Sequence, residues 1–140
     1  MNTDDPDLCY ALAARKNARH LSRLYDHHLA PSGLSVSQFS ILAVLKANGP
    51  MKTAELADLL VMERTSLVRA LRPLQAAEWI AARPAAEGRA HELALSAAGL
   101  RKAAATVPLW QAAQKAFEAE VGRAHAIRQR DAVLQQSSSR

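Results

Sequence analysis

Residues 53–95 read TAELADLLVMERTSLVRALRPLQAAEWIAARPAAEGRAHELAL, and the folding of this stretch decides the architecture of the chain. Its pattern predicts a short helix, a tight turn, a second helix and a two-stranded ribbon. At about 100° per residue from Arg64, the residues Leu67, Ala70, Leu71 and Leu74 fall on one side of the second helix. Thr65, Arg69 and Arg72 fall opposite, with Ser66 flanking them. One face is a core stripe, and the other offers hydroxyls and guanidinium groups. Guanidinium groups bond guanine edges bidentately or clamp phosphates, and short hydroxyls near a helix N-terminus reach backbone oxygens or bases. The chemistry is that of a recognition helix, against the plainer reading of a solvated arginine face.

Features on either side favour the first reading. The preceding helix, residues 53–60, is expected to start at a Thr53 cap, to pack through Leu56, Leu59 and Leu60, and to use small Ala57 where another helix crosses closely. Val61-Met62-Glu63 is short enough to force a sharp turn between the two helices. Beyond the second helix, residues 79–83 read as a strand, 84–88 as a turn and 91–95 as a returning strand with alternating Leu93 and Leu95. Arg89 then lies near a hairpin tip, suited to an adjacent minor groove. The whole predicts a mainly α fold with a small β wing, a winged helix-turn-helix.

In this arrangement the chain resembles the MarR family of dimeric winged-helix transcriptional regulators, from about Asp7 to the C-terminus. The stretches that carry the resemblance are LSRLYDHHLAPSGLSVSQFSILAVL, ELADLLVMERTSLVRALRPLQ, the wing segment EGR, and LALSAAG leading into the next helix. The resemblance implies DNA contacts at Arg64, Thr65, Ser66, Arg69 and wing Arg89. In the wing, Glu87-Gly88-Arg89-Ala90 departs from the family's usual Asp-x-Arg followed by further basic residues. The family also implies a homodimer on a pseudo-palindromic double-stranded DNA operator, acting as a repressor released by a small ligand or by oxidation. Its ligand cleft would draw on residues near His20, Leu24, Phe39 and Trp110.

At 140 residues the chain is expected to be one domain, with a winged helix-turn-helix lobe at 35–95. The lobe would lie between N- and C-terminal dimerisation helices at 6–29 and 97–136, a role implied by the resemblance. Eighteen Lys and Arg against 13 Asp and Glu give a formal charge of +5, a balance that favours a polyanionic partner. Hydrophobic residues make up 49% but aromatics only 4%, which suits closely packed helices. No apolar run approaches about 20 residues and no leader-like start is present, so a cytoplasmic protein without a membrane partner is expected. The single cysteine excludes an internal disulfide framework.

Outside the central stretch, Leu8, Ala11, Leu12, Ala18, Leu21, Tyr25 and Leu29 recur at helical spacing, and Pro31 and Gly33 end that first helix. Ser35-Val36-Ser37-Gln38 fits a capping box. The helix that follows is expected to bury Phe39, Ile41, Leu42 and Leu45 and to stop at Asn48-Gly49-Pro50. Met51-Lys52 can add a third strand. Pro73 should bend or weaken the recognition helix, and Pro108 should kink a long helix over 97–122 that turns Leu100, Val107, Trp110, Ala113, Phe117 and Val121 inward. A final amphipathic helix over 123–136 is built around Ala124, Ile127 and Leu134.

Cys9 is expected in the first turn of the first helix, where the helix dipole favours a thiolate. The organic-hydroperoxide sensors among the relatives carry a reactive cysteine in this region, which makes Cys9 a candidate redox sensor, with Tyr25 as a candidate partner two residues out of register. The other reading is a small buried hydrophobe. His20, His27, His28, His91 and His125 lack zinc-like spacing, so neither a metal nor another cofactor is expected. No Walker loop, dinucleotide fingerprint or nucleophile elbow is present, and an enzyme is not expected. The alternative function is a winged-helix module that binds another protein and never DNA.

Overall fold

The computed structural model describes residues 4–86, 88 and 91–138. In chain order its elements are α1 (Tyr10–Leu29), α2 (Val36–Asn48), β1 (Met51–Lys52), α3 (Thr53–Leu60), α4 (Arg64–Ala76), β2 (Ile80–Pro84), β3 (His91–Leu95), α5 (Ala97–Val121) and α6 (Arg123–Ser138). They divide into two compact units. One is Leu34–Val107; the other joins the chain up to Gly33 with the chain from Pro108 onward.

The Leu34–Val107 unit is the winged helix-turn-helix. Its first helix, α2, starts at the anticipated capping box: the Ser35 hydroxyl accepts from the Gln38 N–H at 3.1 Å, and the Gln38 side chain accepts from the Ser35 N–H at 2.9 Å. Two otherwise orphaned donors are thereby satisfied. Phe39, Ile41, Leu42 and Leu45 are all buried, and Gly49, at φ 77°, ends the helix by donating to Leu45 O. α2 packs on α4 and β3, so the core holds Leu56, Ala57, Leu67, Leu71, Leu74, Ile80 and Leu93 as well.

The sheet has the order β1-β3-β2 and is antiparallel throughout, with Met51 opposite Leu93 and Ile80 opposite Leu95. Met51-Lys52 is indeed the third strand. Of β2 only Ile80 is buried, because the ribbon leaves the body of the unit beyond its root.

Several local expectations are corrected. Thr53 is the first helical residue of α3 and not its cap; Lys52 takes the cap position, and Glu55 Oε1 accepts from the Lys52 N–H at 3.4 Å. Leu59 is half exposed, since α3 is only eight residues long and turns Leu56 and Ala57 to the core instead. Leu100 is exposed on α5, where Ala103 and Thr106 hold the buried positions. Trp79 precedes β2 and is not part of it.

The terminal unit is helical. The first helix is not continuous from residue 6: Pro6–Leu8 form a 3-10 turn, and α1 starts at Tyr10 after Cys9 in an extended conformation. It ends as expected, passing into a second 3-10 turn closed by Gly33 at φ 76°. Within this unit α1 is tied to α5 by the Tyr25 hydroxyl, which donates to Gln114 Oε1, and by His20 Nε2 with Glu120 Oε1. Ala113 and Phe117 are buried, whereas Ala124, Val133 and Leu134 on α6 are exposed. Among the described residues, no single helix is long and apolar enough to cross a membrane.

Candidate nucleic-acid interface

The second helix of the pair, α4, divides as its spacing requires. Leu67, Leu71 and Leu74 are at most 3% exposed, and Arg64, Thr65, Ser66, Arg69 and Arg72 are all exposed. Among the described residues, none of these arginines is held in an ion pair. The guanidinium groups keep their full donor capacity for an external acceptor. Pro73 is exposed and α4 continues past it for one turn, to Ala76. The proline removes a bond to the Arg69 carbonyl without ending the helix.

The turn that presents α4 is a Schellman motif. Met62 N–H donates to Ala57 O at 2.9 Å and Val61 N–H to Asp58 O at 3.1 Å, which requires Val61 to adopt φ 53°. α4 ends in the same way, with Trp79 N–H on Leu74 O and Glu78 N–H on Gln75 O, both at 3.0 Å, and Glu78 at φ 62°. Both residues occupy the position where glycine is usual. The sharp reversals aim α4 and then the wing.

The wing root is held by Ser96. Its hydroxyl donates to Glu78 O at 2.6 Å and accepts from the Gly99 N–H at 3.0 Å, while its own N–H donates to Trp79 O at 3.0 Å. Gly99 lies so close to this corner that a Cβ there would stand 2.1 Å from Trp79 O. Lys102 Nζ lies 5.0 Å from the Trp79 ring centroid, a cation–π contact. The LALSAAG segment is thus the joint between the end of α4, the ribbon and α5. Arg89, Glu87 and Ala90 lie outside the described residues; Gly88 is at φ 81°, and Ala86 N–H donates to Glu92 Oε1 at 3.3 Å.

Of the other candidates, Cys9 is exposed and not buried, and it caps α1 instead of lying in its first turn: Sγ accepts from the Leu12 N–H at 3.4 Å. Tyr25 is sixteen residues along the same helix, roughly 24 Å away at about 1.5 Å per residue, and is engaged by Gln114. It is not a partner for the thiol of its own chain. Burial, helped by the Glu118 charge, pushes the Tyr25 phenol above its ordinary range.

His20, Leu24 and Trp110 belong to the terminal unit, where His20 is paired with Glu120. Phe39 belongs to the winged unit, where it lines an apolar cleft of about 300 Å³ with Ala43, Lys46, Ala47, Ala103 and Val107. Among the described residues no three His, Cys, Asp or Glu side chains gather as metal ligands would. Exposed Val68 of α4 is not among the contact residues expected from the sequence. Val68 is 42% exposed, three residues after Thr65 and beside Arg69, a spacing that places it on the same face.

A tight inter-helix turn, a second helix with a free basic face and a three-stranded wing sheet together define a winged helix-turn-helix protein. The MarR family model matches residues 32–90. The transcriptional regulator MosR of M. tuberculosis, solved in complex with DNA, is 34% identical, with 94% of this chain and 96% of that chain covered and a TM-score of 0.78. A further structure of M. tuberculosis MosR is 31% identical over 97% of each chain, also at a TM-score of 0.78. Wild-type apo MarR of E. coli shares the fold at 18% identity and a TM-score of 0.74, over 91% of this chain and 96% of that one. Comparison with curated proteins gives no match. The chain belongs to the MarR family of winged helix-turn-helix transcriptional regulators.

Proposed function

We propose that this DNA-binding transcriptional regulator acts as a homodimeric repressor on a pseudo-palindromic operator. The observation that carries the reading is the exposed, unpaired face of α4, with Arg64, Thr65, Ser66, Arg69 and Arg72 presented by a Schellman turn above a leucine stripe. A helix presented in this way fits the major groove, and a dimer would set two such helices about one helical turn of DNA apart. Arg89 of the wing is assigned to the neighbouring minor groove. The DNA complex of the 34%-identical MosR supports the reading. The protein-only interaction module is not favoured, since it gives no reason for three free arginines on one helix face.

In this reading the 6–29 and 97–136 helices build the dimer and the 35–95 lobe carries the DNA contacts. A small ligand, or oxidation of Cys9, releases the operator. The exposure of Cys9 supports the second route. Oxidising Cys9 should weaken DNA binding while Cys9→Ser stays insensitive to the oxidant; unchanged affinity after full oxidation removes this route. Footprinting on genomic fragments tests the main reading. The expected result is two protected half-sites about one turn apart, with log affinity falling linearly with log salt. Uniform, unphased coverage would overturn it.

A further inference from the structure

We infer that Val68 reads a thymine, by packing its two methyl groups against the 5-methyl group of one base in the operator. The inference rests on α4 being the DNA-reading helix and goes on to assign a base preference to one residue of it.

Val68 stands in the middle of α4 with 42% of its surface exposed, while Leu67, Leu71 and Leu74 take the buried stripe. Thr65, Val68, Arg69 and Arg72 are spaced i, i+3, i+4 and i+7, so the four share one exposed face. Val68 is therefore an apolar surface set among a hydroxyl and two guanidinium groups. It is not one of the buried core residues of the unit. A β-branched residue at an exposed mid-helix position lowers helix propensity relative to alanine, leucine or arginine, because its χ1 is confined by the preceding turn.

The same confinement suits a reading role. A side chain held in one rotamer presents a fixed apolar surface and loses little entropy when it is covered. In the major groove the apolar feature of a base pair is the thymine methyl; the other edge groups are hydrogen-bond donors and acceptors. The arginines on either side commit the occupant of this face to a polyanion, which selects DNA over a protein partner for the exposed valine. Arg69 and Arg72 then fix the height of α4 over the groove by bonds to guanine edges or phosphates, and Val68, one turn after Arg64 and one turn before Arg72, discriminates thymine from cytosine.

The test uses the intact protein and a duplex carrying its footprinted site, with each thymine replaced in turn by deoxyuridine, which removes only the methyl group. The wild type should lose about fourfold in affinity at one thymine per half-site, the effect of withdrawing roughly one methyl group from burial. Val68→Ala should bind the unmodified site about that much more weakly and show no further loss at that one deoxyuridine, with losses elsewhere unchanged. Val68→Thr, which keeps the branched shape and one methyl, should retain part of the discrimination. Matching thermal unfolding of the variants would show that exposed Val68 is not needed for the fold. If deoxyuridine losses in Val68→Ala equal those in the wild type at every position, the assignment of Val68 is wrong while the DNA-reading helix stands. If the wild type binds no duplex, both fall together.

Discussion

Val61 holds a conformation that its side chain disfavours. At φ 53° a β-branched residue crowds its own carbonyl, and its side chain is 55% exposed, so little packing offsets the cost. Val61→Gly should stabilise the protein by about 1 kcal/mol, read from the urea midpoint at constant slope. A lower midpoint would mean that the valine makes contacts outweighing the backbone cost.

Tyr25 carries a second residue-scale expectation. Its phenol is raised by burial first and by Glu118 second, and it donates to Gln114. Folding therefore favours the neutral form: stability is fully present below the ordinary phenol range near pH 10 and is lost as pH rises toward and through the raised folded value. Urea midpoints between pH 8 and 11 should fall for the wild type and fall less for Tyr25→Phe, since the phenylalanine has no proton to lose. Parallel curves for the two proteins would remove Tyr25 as the source of alkaline sensitivity.

At the scale of the element, α2 and α4 were readable in detail. The Ser35 to Gln38 spacing marked the capping box, and the 3.6-residue period separated the leucine stripe of α4 from its arginine face, because both follow from local geometry alone. The start of α1 was not readable. The pattern of apolar residues runs through Leu8 and Leu12, but the break at Cys9 depends on an extended backbone that no periodicity records. Leu59 and Leu100 were expected inside because leucine usually is; which leucine of a short helix reaches the core depends on how the helix is rotated in its unit. Val68 was passed over for the converse reason, as an apolar residue in a face read for its polar groups. The corner at Ser96, Gly99 and Trp79 joins residues about twenty apart, and its close approach is a tertiary property that a serine and a glycine in sequence do not announce.

At the scale of the whole molecule, the terminal unit exposes Leu8, Tyr10, Val133 and Leu134, apolar surface that a small unit ordinarily covers. In the proposed homodimer a second copy covers this surface. Light scattering of the intact chain at micromolar concentration should give a dimer, and deletion of residues 123–140 should give monomer or aggregate. A stable, well-folded monomer of the intact chain would contradict the assignment of 6–29 and 97–136 to an interface.

The central claim is that the exposed face of α4 reads base sequence, and Arg69 in the middle of that face tests it most directly. Affinities of the wild type and Arg69→Ala should be measured on the operator and on a scrambled duplex across a salt series. The variant should lose about 1–3 kcal/mol on the operator and much less on the scrambled duplex, with preference blurred at one base position. By contrast, Arg89→Ala in the wing should weaken both duplexes evenly and reduce the salt slope by about one. An equal loss for Arg69→Ala on operator and scrambled DNA would make α4 a clamp and not a reader, and no loss on either would contradict the interface altogether.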